Sequence, residues 1–238
     1  MSGLSGQRAI VVGGSSGIGL AVSRALAEAG AEVVVAGRDP AKLEAARAAG
    51  PRLHAAAVDA GDPGSLARFF AAQGAFDHLV LSFTSGKGAG PFRTIGLDEL
   101  RQAVEGKTVA YLATMQAALP TLRADGSMTL VTAVSARAAR PGTAGLAVSN
   151  GGLNAVVPVL ARELAPLRVN AVCPGVVDTP WWAKLPDERR RALLAQAAAE
   201  SPLGRTGTPE EIAQAIVMVV GNGFMTGAVV DVDGGIRL

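Results

Sequence analysis

Short, wholly apolar runs alternate with longer amphipathic, alanine-rich stretches along the entire chain. Residues 9–12 and 32–36 read as buried strands, with a helix over 19–29 between them. Further strands are expected at 53–58, 78–81, 127–132, 168–172 and 228–232. Helices are expected at 40–49, 63–71, 97–118, 149–164, 187–199 and 209–219. Strands that are apolar throughout must be covered on both faces, and helices between them supply that cover. The pattern therefore predicts a doubly wound parallel sheet in a three-layer α/β/α domain. Asp39 before Pro40 and Asp62 before Pro63 match a capping carboxylate followed by proline at the first helical position. No Ser/Gly linker and no repeat interrupts the rhythm, so residues 1–238 are read as one domain.

Composition narrows the class. The 238 residues are 49% hydrophobic but only 4% aromatic and 18% charged, which suits a core of small and branched side chains and excludes a disordered chain. No stretch reaches 18 uncharged apolar residues, so no membrane span is expected. Residues 1–8 are polar and carry no apolar leader, and the single cysteine, Cys173, suits a reducing compartment. A cytoplasmic protein is expected. The net charge is +2 with scattered basic residues, which argues for neither a nucleic-acid nor a membrane partner.

The longest departure from the alternation is an insert around residues 180–208, with Trp181 and Trp182 adjacent and Arg189, Arg190 and Arg191 in a row. The arginines read as a solvated face. The tryptophans follow a Pro-Gly turn at a strand end, where open α/β sheets bind ligands, so the insert is expected to be a lid over a substrate pocket.

The chemistry is concentrated at the first strand–helix junction. Ala9-Ile-Val-Val-Gly13-Gly14-Ser15-Ser16-Gly17-Ile18-Gly19 gives a strand, a glycine turn and a helix start in succession. Glycines permit the turn and let backbone N–H groups approach a pyrophosphate, while the helix N-terminus favours its negative charge. About 20 residues on, a carboxylate at the second strand end would accept hydrogen bonds from a ribose 2′-hydroxyl and repel a 2′-phosphate. That position is Gly37, followed by Arg38, whose guanidinium can fork onto a phosphate. Ser15 adds a hydroxyl. NADP(H) is therefore favoured over NAD(H). The rival ribose partner, Asp39, is better placed as a helix cap.

With the Gly13/Gly17/Gly19 spacing, Asp59 after the third strand, Pro174-Gly175-Val176-Val177-Asp178-Thr179 and Val232-Asp233-Gly234-Gly235, the chain resembles the short-chain dehydrogenase/reductase superfamily over nearly all its length. The resemblance implies a Rossmann-type fold and an oxidoreductase acting on a small-molecule substrate. It implies that Asp59 holds the adenine amino group and that Val58 or Ala60 lines the adenine. Pro174, Gly175, Val177 and Thr179 would surround the nicotinamide carboxamide and pyrophosphate, with Ser16, Ile18 and Ser82 as further cofactor contacts. A homotetramer or dimer through the long helices is also implied.

The family's chemistry uses a Tyr-x-x-x-Lys pair, an upstream serine and an asparagine on the preceding helix. The tyrosine gives a proton to the carbonyl oxygen, and the lysine lowers the tyrosine pKa and holds the ribose. Here the only tyrosine, Tyr111, has no lysine four residues after it. The pattern places Ala133 at the serine, Leu146 at the tyrosine and Asn150 at the lysine. The asparagine position falls near Glu105, Gly106 and Lys107, and the expected Asn-Asn-Ala-Gly has become Leu81-Ser82-Phe83-Thr84. Leucine donates no proton. Three readings follow: hydride transfer to an activated acceptor such as an iminium, a catalytically inactive NADP(H)-binding sensor, scaffold or partner subunit, and a non-redox step on a bound substrate.

A substitute acid is sought in Lys107, with Tyr111 one helical turn on. Asn150 can replace the family lysine's hydrogen bond to the nicotinamide ribose, though not its charge. Ser82, Thr84, Ser85 and Ser149 are hydroxyl candidates, and Phe83, Ala133, Leu146, Trp181 and Trp182 should form an apolar substrate pocket. His54 and His78 are expected to lie away from the strand C-termini, and with Cys173 they form no metal-ligand pattern.

Overall fold

The computed structural model describes residues 3–238, so of the polar N-terminal stretch Met1 and Ser2 lie outside the described residues. Seven parallel strands form one sheet in the order β3-β2-β1-β4-β5-β6-β7. They are β1 (Arg8–Val12), β2 (Glu32–Gly37), β3 (Leu53–Ala57), β4 (Phe76–Leu81), β5 (Leu122–Val131), β6 (Arg168–Pro174) and β7 (Val229–Val232). The helices are α1 (Gly17–Glu28), α2 (Pro40–Arg47), α3 (Pro63–Gln73), α4 (Leu97–Ala103), α5 (Ala110–Ala118), α6 (Ala144–Glu163), α7 (Asp187–Glu200) and α8 (Pro209–Gly221).

The pleat divides the core as the sequence alternation requires. Ile10, Val34, Leu79, Leu81, Leu130 and Ala171 meet α3, α5 and α6, while Val11, Val33, Val35, Val80 and Val172 meet α1, α2 and α8. The strand order reverses between β1 and β4. A crevice opens outside their carboxyl ends, where doubly wound sheets hold their ligands. The chain ends of β1 (Gly13) and β4 (Ser82) meet there, with the Ser82 N–H donating to the Val12 carbonyl at 2.8 Å.

One expectation needs correction. The single helix expected over 97–118 is broken by a π-helical turn at Val104–Val109 between α4 and α5. Gly106 in that turn presses against Ser85, where a Cβ would lie 2.5 Å from the serine Cβ. Close packing of this loop thus coincides with the register change, and π turns recur at functional sites. By length and composition alone α6 could cross a membrane, with a mean hydropathy of 1.4 over an 18-residue window, although polar residues such as Asn150 and Asn154 interrupt it. Its inward side chains Leu153, Val157 and Ala161 are nevertheless buried in the core beneath the sheet.

Asp39 caps α2 by accepting from the N–H groups of Ala41 (3.0 Å) and Lys42 (3.2 Å), and Asp62 caps α3 by accepting from Gly64 (2.9 Å). The insert forms a 3-10 turn (Pro180–Lys184), then α7, and returns through a bridge between Val177 and Gly207.

Candidate active site

The glycine turn is built so tightly that side chains are excluded. Gly13 has a φ of +82°, and a Cβ on it would collide with the Ser82 carbonyl oxygen; one on Gly19 would collide with the Gly13 oxygen. Ser16 opens α1 with an extended backbone and no side-chain cap bond, and no acidic residue occupies the helix's first turn. The first N–H groups of α1 are therefore left for an anion. Ile18 is half-buried against the core face shared with α8.

At the end of β2, Gly37 presents no side chain, and the Ser15 hydroxyl oxygen lies 3.5 Å from where a Cβ would stand. Arg38 is exposed and makes no ion pair or side-chain hydrogen bond among the described residues. Asp39 is committed to its cap. Asp59 is exposed after β3, with Oδ1 accepting from the Gly61 N–H at 3.0 Å. Val58 is 4% exposed and belongs to the core, so its side chain is withdrawn from an adenine wall; Ala60 is the more accessible of the two. Across the crevice, the Gly175 N–H donates to the Val232 carbonyl at 3.0 Å. Val177 likewise turns its side chain into the core, and its carbonyl accepts from the Trp182 indole N–H at 2.8 Å.

The expected catalytic residues separate into different roles. Tyr111 is fully buried, and its hydroxyl lies 3.0 Å from the Leu81 carbonyl, 3.0 Å from that of Phe83 and 3.1 Å from that of Val131. It also accepts from the Phe83 N–H at 3.2 Å. Burial raises its pKa. The phenol is thus a clasp joining the ends of β4 and β5, and it is corrected from catalytic candidate to structural residue. Lys107 occupies the π turn, 8% exposed, with no ion pair or side-chain hydrogen bond among the described residues. Desolvation brings its ammonium down to about 8, opposed by the nearby Cys173 thiol. Burial pushes that thiol up, so it stays neutral.

Asn150 is buried on α6, and its Nδ2 donates to the Ser135 hydroxyl at 3.1 Å and to the Leu146 carbonyl at 2.9 Å. Its Oδ1 is buried without any partner. An orphaned acceptor of this kind calls for a ligand hydroxyl. Ala133 and Leu146 are half-buried, on the segment after β5 and the first turn of α6 respectively. Thr108 ties the Lys107 turn to α6, its hydroxyl donating to the Ser149 carbonyl at 3.0 Å. Ser135 and Thr108 escaped the sequence reading, because nothing in their spacing announces hydrogen bonds to α6.

Neither histidine lies at this site. His54 pairs with Glu32 at 2.8 Å on the sheet edge. His78 is held at the amino end of β4 between Ser127 (2.8 Å) and Gln7 (2.7 Å). Among the described residues no three potential ligands converge on a metal position.

The family described as enoyl-(acyl carrier protein) reductase matches residues 12–237. The chain belongs to the short-chain dehydrogenase/reductase superfamily. Among its relatives, an uncharacterized oxidoreductase of Methylorubrum extorquens is 33% identical, with both chains covered completely. A cis-4-hydroxycyclohexanecarboxylate dehydrogenase of Sinomonas cyclohexanicum is 34% identical over 95% of each chain. A crystal structure of a small-chain dehydrogenase in complex with NADPH superposes with a TM-score of 0.85 at 29% identity, over 97% of this chain and 98% of the other.

In this short-chain dehydrogenase/reductase the segment from Thr179 to Lys184 touches both the phosphate turn and the loop after β4. Thr179 reaches the phosphate turn, its Cβ 3.4 Å from where a Cβ on Gly17 would stand. Trp181 and Trp182 meet edge to face at 4.4 Å between ring centres. Lys184 lies against Gly86 in the loop after β4. That loop in turn rests on the π turn and on α6, through Ser85 against Gly106 and Gly88 against Gly145.

Proposed function

We propose that this protein is an NADP(H)-dependent oxidoreductase with an atypical centre, reducing a small apolar carbonyl or imine-type acceptor without the family's Ser/Tyr/Lys set. The observation that carries the coenzyme choice is Arg38, exposed and unpaired beside the side-chain-free end of β2. An aspartate there would repel a 2′-phosphate, whereas a free guanidinium offers it a bidentate grip. The residues fit the coenzyme. The glycine turn and the open N-terminus of α1 would take the pyrophosphate. Arg38 and Ser15 would take the 2′-phosphate, and Ala60 and Asp59 the adenine. Asn150 Oδ1, buried without a partner, would accept from a ribose hydroxyl. A bound NADPH would contribute a hydride from its nicotinamide C4.

The chain's own residues must then supply the proton. Leu146 and Ala133 supply none, and the Tyr111 proton is shared among backbone carbonyls. Lys107 is the remaining donor: a buried, unpaired ammonium brought near neutral pH by desolvation. It would protonate the oxygen or nitrogen of the acceptor as hydride arrives. Phe83, Leu146, Trp181 and Trp182 exclude water, and an acceptor that is already cationic, such as an iminium, needs no proton at all. The second reading, a catalytically inactive NADP(H)-binding sensor, scaffold or partner subunit, is favoured by the same leucine at position 146.

Self-association in the cytoplasm completes the reading. Leu97 (68% exposed) on α4, with Val148 (62%) and Val159 (56%) on α6, supports a homo-oligomer. The test is NADPH titration followed by a screen of ketones, aldehydes and imines for NADPH oxidation. Turnover on imines alone supports the activated-acceptor reading. Tight NADPH binding with no turnover supports the sensor, and equal affinity for NADH and NADPH removes the coenzyme assignment.

A further inference from the structure

We propose that the substrate bears a carboxylate, held at the mouth of the pocket by the ammonium of Lys184 and the indole N–H of Trp181. This rests on the reading of the crevice beneath the insert as the substrate site. Two donors from the insert converge on one point of the loop after β4. Lys184 Nζ lies against Gly86 and 5.3 Å from the centre of the Trp181 ring. Trp181 Nε1 is 3.8 Å from the position a Cβ on Gly86 would occupy, and it is buried with no hydrogen-bond partner. A buried indole N–H without an acceptor is costly, and it is satisfied most strongly by an anionic oxygen. Gly86 has a φ of +70°, and any side chain there would collide with the ammonium. The bare backbone leaves the two donors side by side.

Charge complementarity points the same way. Lys184 and Lys107 make no ion pair among the described residues, while Glu99 and Asp178 are already engaged. Glu99 accepts from Lys87 at 3.2 Å and from the Gly88 N–H at 3.2 Å. Asp178 is held by Arg190 at 2.6 Å. Glu105 lines an outer groove with Leu97 and Arg101, and Asp187 and Glu188 open α7 without pairing to Lys184. An ammonium without an ion-pair partner beside an indole N–H without an acceptor suits a molecule with one negative end. Lys184 is an exposed residue, so the anion stays partly hydrated and the preference is moderate rather than absolute.

The test uses cyclohexanecarboxylate and its neutral isostere cyclohexanecarboxamide as non-reacting probes. Calorimetry and tryptophan fluorescence follow their binding to the full chain, with and without saturating NADPH. The carboxylate is expected to bind on the order of tenfold more tightly than the amide. Lys184→Met should abolish that preference, and Lys184→Glu should invert it. Trp181→Phe keeps the ring but removes the N–H, and it should weaken the carboxylate alone. Equal binding of the two probes, no binding of either, or a preference unchanged in Lys184→Met overturns the proposal. Failure of NADPH to bind is read separately in the same titrations and bears on the coenzyme assignment, because the probe ratio is also measured on the coenzyme-free protein.

Discussion

The ammonium of Lys107 stands 5.6 Å from the centre of the Tyr111 ring, so the two candidates from one helical face are neighbours with opposite fates. The tyrosine hydroxyl is surrounded by backbone carbonyls at two strand ends. The lysine, one turn earlier, has no ion pair and no side-chain hydrogen bond among the described residues. One holds the floor of the crevice together; the other is a destabilising charge kept beneath it.

Lys107→Met is expected to make the protein more stable and less active. The folded pKa of about 8 lies below the unfolded value, so the unfolded chain binds more protons in the window between them, and stability rises with pH through it. At pH 7 the buried charge costs on the order of 3 kcal/mol, which methionine removes. Thermal denaturation should show a higher Tm. NADPH oxidation with a neutral imine should fall by at least tenfold, and in the parent protein it should decline as pH rises through about 8. Unchanged turnover would take Lys107 out of the mechanism.

Tyr111→Phe should lower stability by about 1–3 kcal/mol, because strand-end carbonyls lose their shared donor. NADPH affinity should hold within a few-fold, as the phosphate turn is untouched. A denaturant melt and a fluorescence titration separate the two effects. A variant as stable as the parent would show that the clasp contributes nothing.

Arg38→Asp should exchange coenzyme preference. Loss of a charge-assisted grip and gain of a repulsive carboxylate should weaken NADPH by roughly 10- to 100-fold, while NADH binds as well or better. Parallel titrations with both coenzymes measure this directly.

The protein should lose stability in mild acid through His78. Burial depresses its pKa to about 4, below the ordinary histidine value, so protonation favours the unfolded chain. The stabilisation is complete above about pH 6.5 and fades as pH falls toward 4, by on the order of 3 kcal/mol at most. His78→Gln should flatten that limb of the stability–pH curve. An unaltered limb would assign it to other groups.

Restoring the family's residues tests whether the centre is truly atypical. The triple variant Ala133→Ser, Leu146→Tyr, Asn150→Lys should gain NADPH-dependent reduction of simple ketones that the parent reduces slowly or not at all. A parent already as active on ketones as the variant would show that the native centre needs none of the three restored residues.

The layered sheet, its two-sided core and the glycine turn were legible in the sequence, because they depend on local periodicity and on residue types acting within a dozen positions. The all-valine interior of β2 needs cover on both faces whatever lies elsewhere, and Asp39 before Pro40 caps a helix with groups two and three residues away. The active centre depends on contacts between distant segments. Tyr111 meets carbonyls 20 to 30 residues away, and Asn150 meets Ser135 across the loop after β5. Lys184 and Trp181 meet Gly86 almost a hundred residues upstream. Whether a tyrosine is an acid or a clasp, and whether a lysine is solvated or stranded, is decided by desolvation and by which backbone groups lie within 3 Å. Only the folded chain sets those quantities.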